Sequence, residues 1–124
     1  MVFYKCDICK RVQPVFDENA PVPECCGQPM KPLKANTTDG AKEKHVPEVS
    51  VNGNKITAKI GSVDHPMLPE HYITMVVLET KKDFKIKELN PGEAPCAEFE
   101  LSAGEEAVAV YEYCNLHGLW KAEI

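Results

Sequence analysis

The chain has 124 residues, enough for one compact domain or for a domain with a small appendage. A hydrophobic fraction of 44% and a charged fraction of 27% are typical of a globular protein, and they argue against disordered, collagen-like and membrane-embedded chains. The first residues contain no apolar stretch typical of a secretory signal, so we expect a cytoplasmic protein. Six cysteines in such a chain favour metal binding over a disulfide framework.

The net charge of −5 arises in residues 93–112, where six glutamates face no lysine or arginine within the same stretch. An acidic surface repels phosphate backbones, and the sequence has no basic stripe with interleaved aromatic residues. We therefore expect no nucleic-acid partner, and we interpret the acidic stretch as a solubilising face.

Residues 1–35 predict a separate small module that needs a cross-link. The segment holds four of the six cysteines, is interrupted by several prolines, and has too few apolar residues for a core of its own. The polar, turn-rich residues 35–40 indicate a linker or a boundary after it.

Four cysteines of this module have the spacing of a metal site. Cys6-Asp-Ile-Cys9 places two sulfurs on one tight turn, so both can reach one tetrahedral metal. Cys25 and Cys26 would complete the set, but neighbours in a strand point to opposite sides, so this pair must lie at a bend. Four sulfurs favour iron or zinc, and the spacing alone leaves both metals and a pair of disulfides open. Either metal would stabilise the fold, but only iron would add redox chemistry.

Residues 36–124 predict an antiparallel β-sandwich of about seven strands. Short runs of β-branched and aromatic residues, several alternating with polar residues, favour strands, and no run has the period and length of a helix. Asn52-Gly53-Asn54 is typical of a hairpin turn. The strands that we expect cover residues 46–51, 55–60, 72–79, 84–89, 97–101 and 107–113.

The four histidines and Cys114 form a second constellation. His65 and His71 flank a proline-containing loop, while Cys114 and His117 have the spacing of a local chelate. Each histidine alone is more often a surface or core residue than a ligand, but together with His45 the set suits a transition metal such as iron. Five protein ligands would leave one octahedral position open, which favours small-molecule chemistry over a purely structural metal.

These motifs, in this order, resemble those of desulfoferrodoxin, the two-iron form of superoxide reductase. The motifs are His45-Val-Pro, His65-Pro-Met, His71-Tyr-Ile and Cys114-Asn-Leu-His-Gly-x-Trp120, preceded by Cys6-x-x-Cys9 and Cys25-Cys-Gly-x-Pro-Met30. The resemblance covers essentially the whole chain. It departs at one position, because the family usually has glycine after the second cysteine, where this chain has Lys10.

The resemblance implies two iron ions per chain. A desulforedoxin-like module, residues 1–35, would hold a rubredoxin-type iron, and an immunoglobulin-like β-sandwich, residues 36–124, would hold the catalytic iron. The implied ligands of the first iron are Cys6, Cys9, Cys25 and Cys26. The implied ligands of the second are His45, His65, His71 and His117 in one plane, with Cys114 axial. Cys96 matches no ligand, and we expect it to be a free thiol.

The resemblance further implies the one-electron reduction of superoxide to hydrogen peroxide, as part of oxidative-stress defence. Lys44 would attract the anionic substrate, and Glu43 would occupy the sixth site of the oxidised iron after the product leaves. A rubredoxin-like electron donor and a homodimer are also implied. Three alternatives remain: an electron-transfer protein with a structural second metal, a zinc protein whose sandwich is a binding module, and a superoxide dismutase.

Overall fold

The computed structural model describes residues 1–124, and the chain forms two compact units, Met1–Lys34 and Ala35–Ile124. Strands dominate both units. The single helix, α1, covers Lys42–His45. None of the helical structure is long and apolar enough to cross a lipid bilayer.

The first unit consists of five short strands around a very small core. They are β1 (Val2–Lys5), β2 (Val12–Val15), β3 (Glu24–Cys25), β4 (Gln28–Pro29) and β5 (Lys31–Leu33). β1 pairs antiparallel with both β2 and β5, while β3 and β4 form a separate hairpin. Tyr4, Cys6 and Met30 form a buried cluster, and Phe3 is buried as well. So few buried side chains cannot stabilise such a unit alone, which agrees with the cross-link expected from the sequence.

The second unit is an antiparallel, immunoglobulin-like β-sandwich. Its strands are β6 (Pro47–Asn52), β7 (Lys55–Ile60), β8 (Ile73–Thr80), β9 (Phe84–Glu88), β10 (Cys96–Glu100), β11 (Ala107–Cys114) and β12 (Gly118–Glu123). One sheet has the order β10-β7-β6 and the other the order β12-β11-β8-β9. All neighbouring strands are antiparallel, so the predicted fold class is confirmed.

The core of the sandwich lies between the two sheets and extends to the end of β11. Alternate residues of each strand point inward, as in β7, where Ile56, Ala58 and Ile60 are fully buried. Val110 and Cys114 of β11 belong to the same cluster from the opposite sheet. The last residue of β11 therefore places a buried sulfur at one end of the sandwich.

The expected strands are all present, within one residue of their expected bounds. The hairpin prediction is confirmed as well, because Asn52 pairs with Lys55 and Gly53 has a φ of +63°. In the second unit, two elements were not predicted, β12 and α1. β12 begins inside the motif that supplies His117, and α1 is a single turn, too short to show a helical period.

Part of the expected linker, residues 35–40, is ordered against β12. The backbone N–H of Asn36 donates to the carbonyl of Leu119 at 3.0 Å. The side-chain amide of Asn36 exchanges two hydrogen bonds with the backbone of Lys121, at 2.9 and 3.2 Å. The first unit ends at Lys34, in agreement with the predicted boundary, but this part of the segment is not a free linker.

The acidic residues 93–112 do not form a uniform acidic face. Glu112 is fully buried, because its position in β11 directs it into the sandwich. Three other glutamates form ion pairs with lysines from elsewhere in the chain: Glu98 with Lys55, Glu105 with Lys85 and Glu106 with Lys81. The interpretation as a solubilising face is wrong for Glu112.

Gly61 allows α1 to pack closely onto the turn after β7. It is buried with a φ of +81°, and a Cβ atom there would lie 2.6 Å from the carbonyl oxygen of Val63 and 2.7 Å from that of Glu43. The N–H of Val63 donates to the same Glu43 carbonyl at 2.9 Å. Since α1 ends at His45 and the turn leads to His65, this close approach sets how near the two histidines come.

We predict that Gly61→Ala destabilises the second unit far more than Gly53→Ala. Both glycines have positive φ, which costs alanine about 1–2 kcal/mol, but Gly53 has no heavy atom within 4 Å of an added Cβ. The backbone clash at Gly61 should add about 1–3 kcal/mol. Denaturant unfolding of both variants measures the difference, and equal losses would show that the close approach is unimportant.

Candidate metal centres

The first candidate centre is a cluster of four cysteine sulfurs in the first unit. The Sγ atoms of Cys6, Cys9, Cys25 and Cys26 all lie within 4.8 Å of one another. The Sγ–Sγ distance is 3.6 Å between Cys9 and Cys25 and 3.9 Å between Cys25 and Cys26. Four sulfurs at about 2.3 Å from a tetrahedral metal would be about 3.8 Å apart, so the cluster fits such an ion.

The turns that carry these cysteines need left-handed backbone. Cys26 has a φ of +54° and Gly27 a φ of +75°, and together they form the turn between β3 and β4. The bend predicted for the adjacent cysteines is therefore present. Lys10, with a φ of +68°, adopts the left-handed conformation that a glycine would take without steric cost. Its ammonium donates to the carbonyl of Asp7 at 2.7 Å, which ties the turn together.

The cysteines of this cluster differ in proton affinity. The backbone N–H of Cys9 and that of Ile8 donate toward the Cys6 sulfur and lower its pKa to about 6. Neighbouring thiols, first that of Cys9, raise the pKa of Cys25 to about 12 and also raise the pKa of Cys26. Without metal at neutral pH, Cys6 is a thiolate while Cys25 and Cys26 are protonated. Metal binding must displace these two protons.

The second candidate centre is a closed ring of four imidazoles in the second unit. The centroids of neighbouring rings are 4.6 Å apart for His45 and His65, 4.7 Å for His65 and His71, 4.9 Å for His71 and His117, and 4.9 Å for His117 and His45. His45 therefore lies across the ring from His71, and His65 lies across from His117. This arrangement suits four ligands in one plane around a metal ion.

Cys114 lies beside this ring. The ligand atoms of Cys114, His45, His65 and His117 all lie within 4.8 Å of one another. His71 is outside this tightest group, but its ring contacts those of both His65 and His117. The structure thus brings together all five side chains of the second constellation, whereas Cys96 lies in neither cluster.

Hydrogen bonds indicate which imidazole nitrogens face the centre. His65 Nδ1 donates to the carbonyl of the next residue at 2.6 Å, which leaves a lone pair on Nε2. His45 directs Nδ1 at Glu112 and holds Nε2 3.1 Å from Nδ1 of His117. The buried Nε2 atoms of His65 and His71 have no hydrogen-bond partner. Buried nitrogens without partners are costly, and a metal ion at the centre would satisfy them.

Burial keeps these imidazoles in the neutral form that binds metals. It lowers the pKa of His45 to about 3, and it lowers the pKa values of His65 and His71 in the same direction. The positive charge of Lys44 also lowers the pKa values of His45, His65 and His71, so its ammonium is within electrostatic reach of the ring. The ring is therefore available to a metal ion at neutral pH.

The sulfur of Cys114 is buried but faces hydrogen-bond donors. Burial raises the pKa of Cys114, while the backbone N–H groups of His117 and Leu116 act in the opposite direction. These two N–H groups would stabilise the thiolate once a metal ion replaces its proton.

Asn115 ties the loop of His71 to the end of β11. Its Oδ1 accepts the N–H of Tyr72 at 3.0 Å, and its Nδ2 donates to the carbonyl of Glu70 at 3.0 Å. Both chain neighbours of His71 are thus held by one side chain. Sequence reasoning assigned Asn115 no role, although asparagine in a loop often bonds to backbone groups.

Glu112 is a further neighbour of the site that sequence reasoning missed. Its Oε2 lies 3.5 Å from Nδ1 of His45, its Oε1 has no partner, and burial raises its pKa well above the usual range. A carboxyl group behind a histidine ligand fixes the orientation of the ring. The sequence offered one indication of this: Glu112 lies two residues before Cys114 in the same strand, so their side chains are on the same face.

Trp120 packs against two of the histidines. Its indole ring stacks on His45 with a centroid distance of 4.9 Å and an interplanar angle of 10°. Its Nε1 donates to the backbone carbonyl of His117 at 3.0 Å. The motif residue Trp120 therefore supports the ring of imidazoles from one side.

Glu43 and Lys44 lie on α1, directly before His45. Lys44 is half-buried, and its charge reaches the ring as described. Glu43 has an exposed side chain, while its backbone carbonyl accepts the N–H of Val63 and the hydroxyl of Ser62. The structure therefore places Lys44 within electrostatic reach of the ring and joins Glu43 to the neighbouring turn through its backbone.

Fold and sites together define a class of protein, a two-centre metalloprotein with a four-cysteine module and a histidine–cysteine centre in an immunoglobulin-like sandwich. A family model described as desulfoferrodoxin matches residues 37–123. The desulfoferrodoxin of Nitratidesulfovibrio vulgaris is 48% identical over 122 residues, which cover 97% of this chain and 94% of that protein. The chain belongs to the desulfoferrodoxin family, so the recognition from its motifs is confirmed.

Solved structures agree with this membership. The crystal structure of the superoxide reductase from Treponema pallidum matches with a TM-score of 0.81 and 38% identity, over 98% of both chains. The superoxide reductase (1Fe-SOR) from Giardia intestinalis matches with a TM-score of 0.58 and 33% identity. That match covers 67% of this chain and 98% of the Giardia chain.

We predict a distinct pH behaviour for the four-cysteine centre. In the metal-free chain, one thiolate should form near pH 6 because the pKa of Cys6 is lowered to about that value. Zinc affinity should then rise at least about 100-fold per pH unit between about pH 7 and 9, because Cys25 and Cys26 must each lose a proton.

The ultraviolet absorbance of thiolates measures the first step. The step should disappear in Cys6→Ser and remain in the control Cys96→Ser, since Cys96 lies outside the cluster. A step that survives in Cys6→Ser would assign the low pKa to another cysteine.

Proposed function

We propose that this protein is a superoxide reductase, in which superoxide takes up one electron and two protons and leaves as hydrogen peroxide. The observation that carries the proposal is the closed ring of four imidazoles, two of them buried, beside one buried sulfur. Four imidazole nitrogens and one thiolate would hold an iron ion and would leave it able to bind a small molecule. The superoxide reductases of Treponema pallidum and Giardia intestinalis support the same activity.

Both donor sets fit iron, and we assign one iron ion to each. Four thiolates suit an iron centre that carries electrons, and imidazoles with one thiolate suit a centre that reacts with a small oxygen species. Bound in the histidine centre, iron supplies the electron that superoxide takes up. The ligands that we propose are Cys6, Cys9, Cys25 and Cys26 for the first ion, and His45, His65, His71, His117 and Cys114 for the second.

Cys114 has the environment of an axial thiolate. The side chain is fully buried in the core, and the N–H groups of Leu116 and His117 are directed at its sulfur. Bound to iron, the Cys114 thiolate would donate electron density to the metal. We propose that this donation would favour release of peroxide with its O–O bond intact.

Lys44 and Glu43 complete the proposed site. Lys44 offers a positive charge that acts on three of the four imidazoles, and such a charge raises the encounter rate with an anion. Glu43 is two residues before His45 and has an exposed carboxylate, which could take the open position after the product leaves. The family resemblance supports both roles.

We propose the following setting for the reaction. Residues 1–35 form the rubredoxin-type iron module and residues 36–124 the catalytic domain, a division supported by the two compact units. The small core of the module supports a homodimer, because its few buried side chains provide little stability alone. By resemblance, rubredoxin or a similar protein donates the electrons. Six cysteines without a disulfide support a cytoplasmic role in superoxide detoxification.

The product ratio tests the proposed reaction. When the reduced, iron-loaded protein is mixed with superoxide, we expect one hydrogen peroxide per superoxide and no dioxygen. A dismutase would release one peroxide and one dioxygen from two superoxide ions, so that ratio would refute the proposal.

Two cysteine variants locate the reaction. Cys114→Ser should abolish nearly all activity together with the thiolate-to-ferric absorption band of the histidine centre, because it removes the axial sulfur. The matched variant Cys9→Ser alters the other centre and should leave the direct reaction of superoxide with pre-reduced protein intact. Equal losses in both variants would place the chemistry elsewhere.

Lys44→Ala should slow the bimolecular reaction with superoxide by about tenfold and flatten its dependence on ionic strength, because the local positive charge is lost. Lys44→Arg keeps the charge and should retain most of the rate. Lys82→Ala, which removes an exposed lysine in the turn after β8, is the control. Pulse radiolysis measures these rates, and an unchanged rate in Lys44→Ala would exclude the role.

A further inference from the structure

The segment expected to be a linker contacts the histidine centre at several points, and we call residues 36–40 the strap. We propose that the strap holds the histidine centre in position, with Thr38 as the positioning residue for His117. The inference deepens the proposed function, because it takes His117 as an iron ligand. The contacts of the strap can nevertheless be tested in the metal-free chain.

Asn36 anchors the strap on the free edge of β12. Its backbone N–H donates to Leu119, and its side-chain amide both accepts from and donates to the backbone of Lys121. Alternate residues of a strand present their N–H and C=O groups to the same side, so Asn36 takes the place of a neighbouring strand. Its φ of +63° is a conformation that asparagine tolerates better than most residues. Residue type and backbone therefore both suit this anchor.

Thr38 connects the strap to the backbone of His117. Its hydroxyl donates to the His117 carbonyl, which also accepts the Nε1–H of Trp120 at 3.0 Å. Both lone pairs of this carbonyl are thus used. Gly118, with a φ of +81°, makes room for the contact, since a Cβ there would lie 3.1 Å from the methyl carbon of Thr38. The carbonyl next to the ligand is therefore fixed from two sides.

A fixed backbone matters more for His117 than for the other histidines. His117 presents Nδ1 to the centre, at 3.1 Å from Nε2 of His45 and 3.9 Å from the sulfur of Cys114. Nδ1 is bonded to the ring carbon nearest the backbone, so its position follows the backbone closely. A ligand that binds through Nε2 can compensate for a backbone shift by rotating its side chain. A small shift of the His117 backbone therefore displaces its ligand atom directly.

Gly40 brings the end of the strap onto the rings themselves. A Cβ atom at Gly40 would lie 3.0 Å from Cζ2 of Trp120, 3.2 Å from Cδ2 of His45 and 3.3 Å from Cβ of His117. Since Trp120 is stacked on His45, the strap covers the indole and both histidines at once. A side chain at this position would push the strap away or displace a ring.

Trp120, the only tryptophan, allows the strap to be tested without metal. Its side chain is buried, so quenching of its fluorescence by acrylamide reports whether the strap stays in place. In the metal-free chain, we expect Thr38→Val and Gly40→Ala to increase the quenching constant at least about twofold. Thr38→Ser, which keeps the hydroxyl, and Asp39→Ala, which changes an exposed neighbour, should match the unaltered chain.

Iron retention then tests the consequence for the ligand. In the iron-loaded full chain, Thr38→Val should lose iron from the histidine centre to a chelator about 10- to 100-fold faster, while the four-cysteine centre keeps its rate. The absorption bands of the two centres separate these rates. Thr38→Ser should restore slow release. Unchanged release in Thr38→Val, or equal release in Thr38→Val and Thr38→Ser, would overturn the proposal.

The outcomes distinguish the strap from the reaction. If the quenching and release rates follow expectation but the product ratio is that of a dismutase, the strap stands and the proposed function fails. If peroxide forms in the expected ratio while the Thr38 variants behave alike, only the strap fails.

Discussion

The gathering of four imidazoles around one point, with two of the rings buried, is the constraint on which the second unit depends. The Nε2 atoms of His65 and His71 have no partner within the protein, and each such buried group costs about 1–3 kcal/mol. Without a metal ion, these unpaired nitrogens favour a structure in which the rings move apart or into water. The surrounding loops are therefore tied by specific contacts, through Asn115, through the close approach at Gly61, and through Trp120. The contacts that hold these loops in the fold are therefore also the contacts that position the histidines.

The sequence alone was enough to predict the sandwich, because apolar and polar residues alternate along several of its strands. Half-buried strands such as β7 show a period of two, and the Asn52-Gly53 turn marks their hairpin. The histidine centre was predicted on different grounds. Single histidines carry little information, and only the order of the short motifs, with the local spacing of Cys114 and His117, grouped them.

What the sequence did not reveal depends on long-range geometry. Glu112 was counted with the surface glutamates because a count of charges does not show which face of a strand a residue occupies. Its burial follows from the pairing of β11 with β8, in which Glu112 lies opposite Val76. Residues 36–40 have the composition of a linker, and their bonds to Leu119 and Lys121 span more than 80 residues. No local pattern signals such a contact.

The separation of the ligands along the chain has a consequence for assembly. All four cysteines of the first centre lie within the first 26 residues, so that centre can close as soon as a short segment has been synthesised. His45 and His117 are 72 residues apart, and Cys114 reaches them only when β11 has paired with β8. Closing so long a loop is slower than closing a short one. The order of synthesis therefore makes all four cysteines of the first centre available before the ligands of the histidine centre are complete.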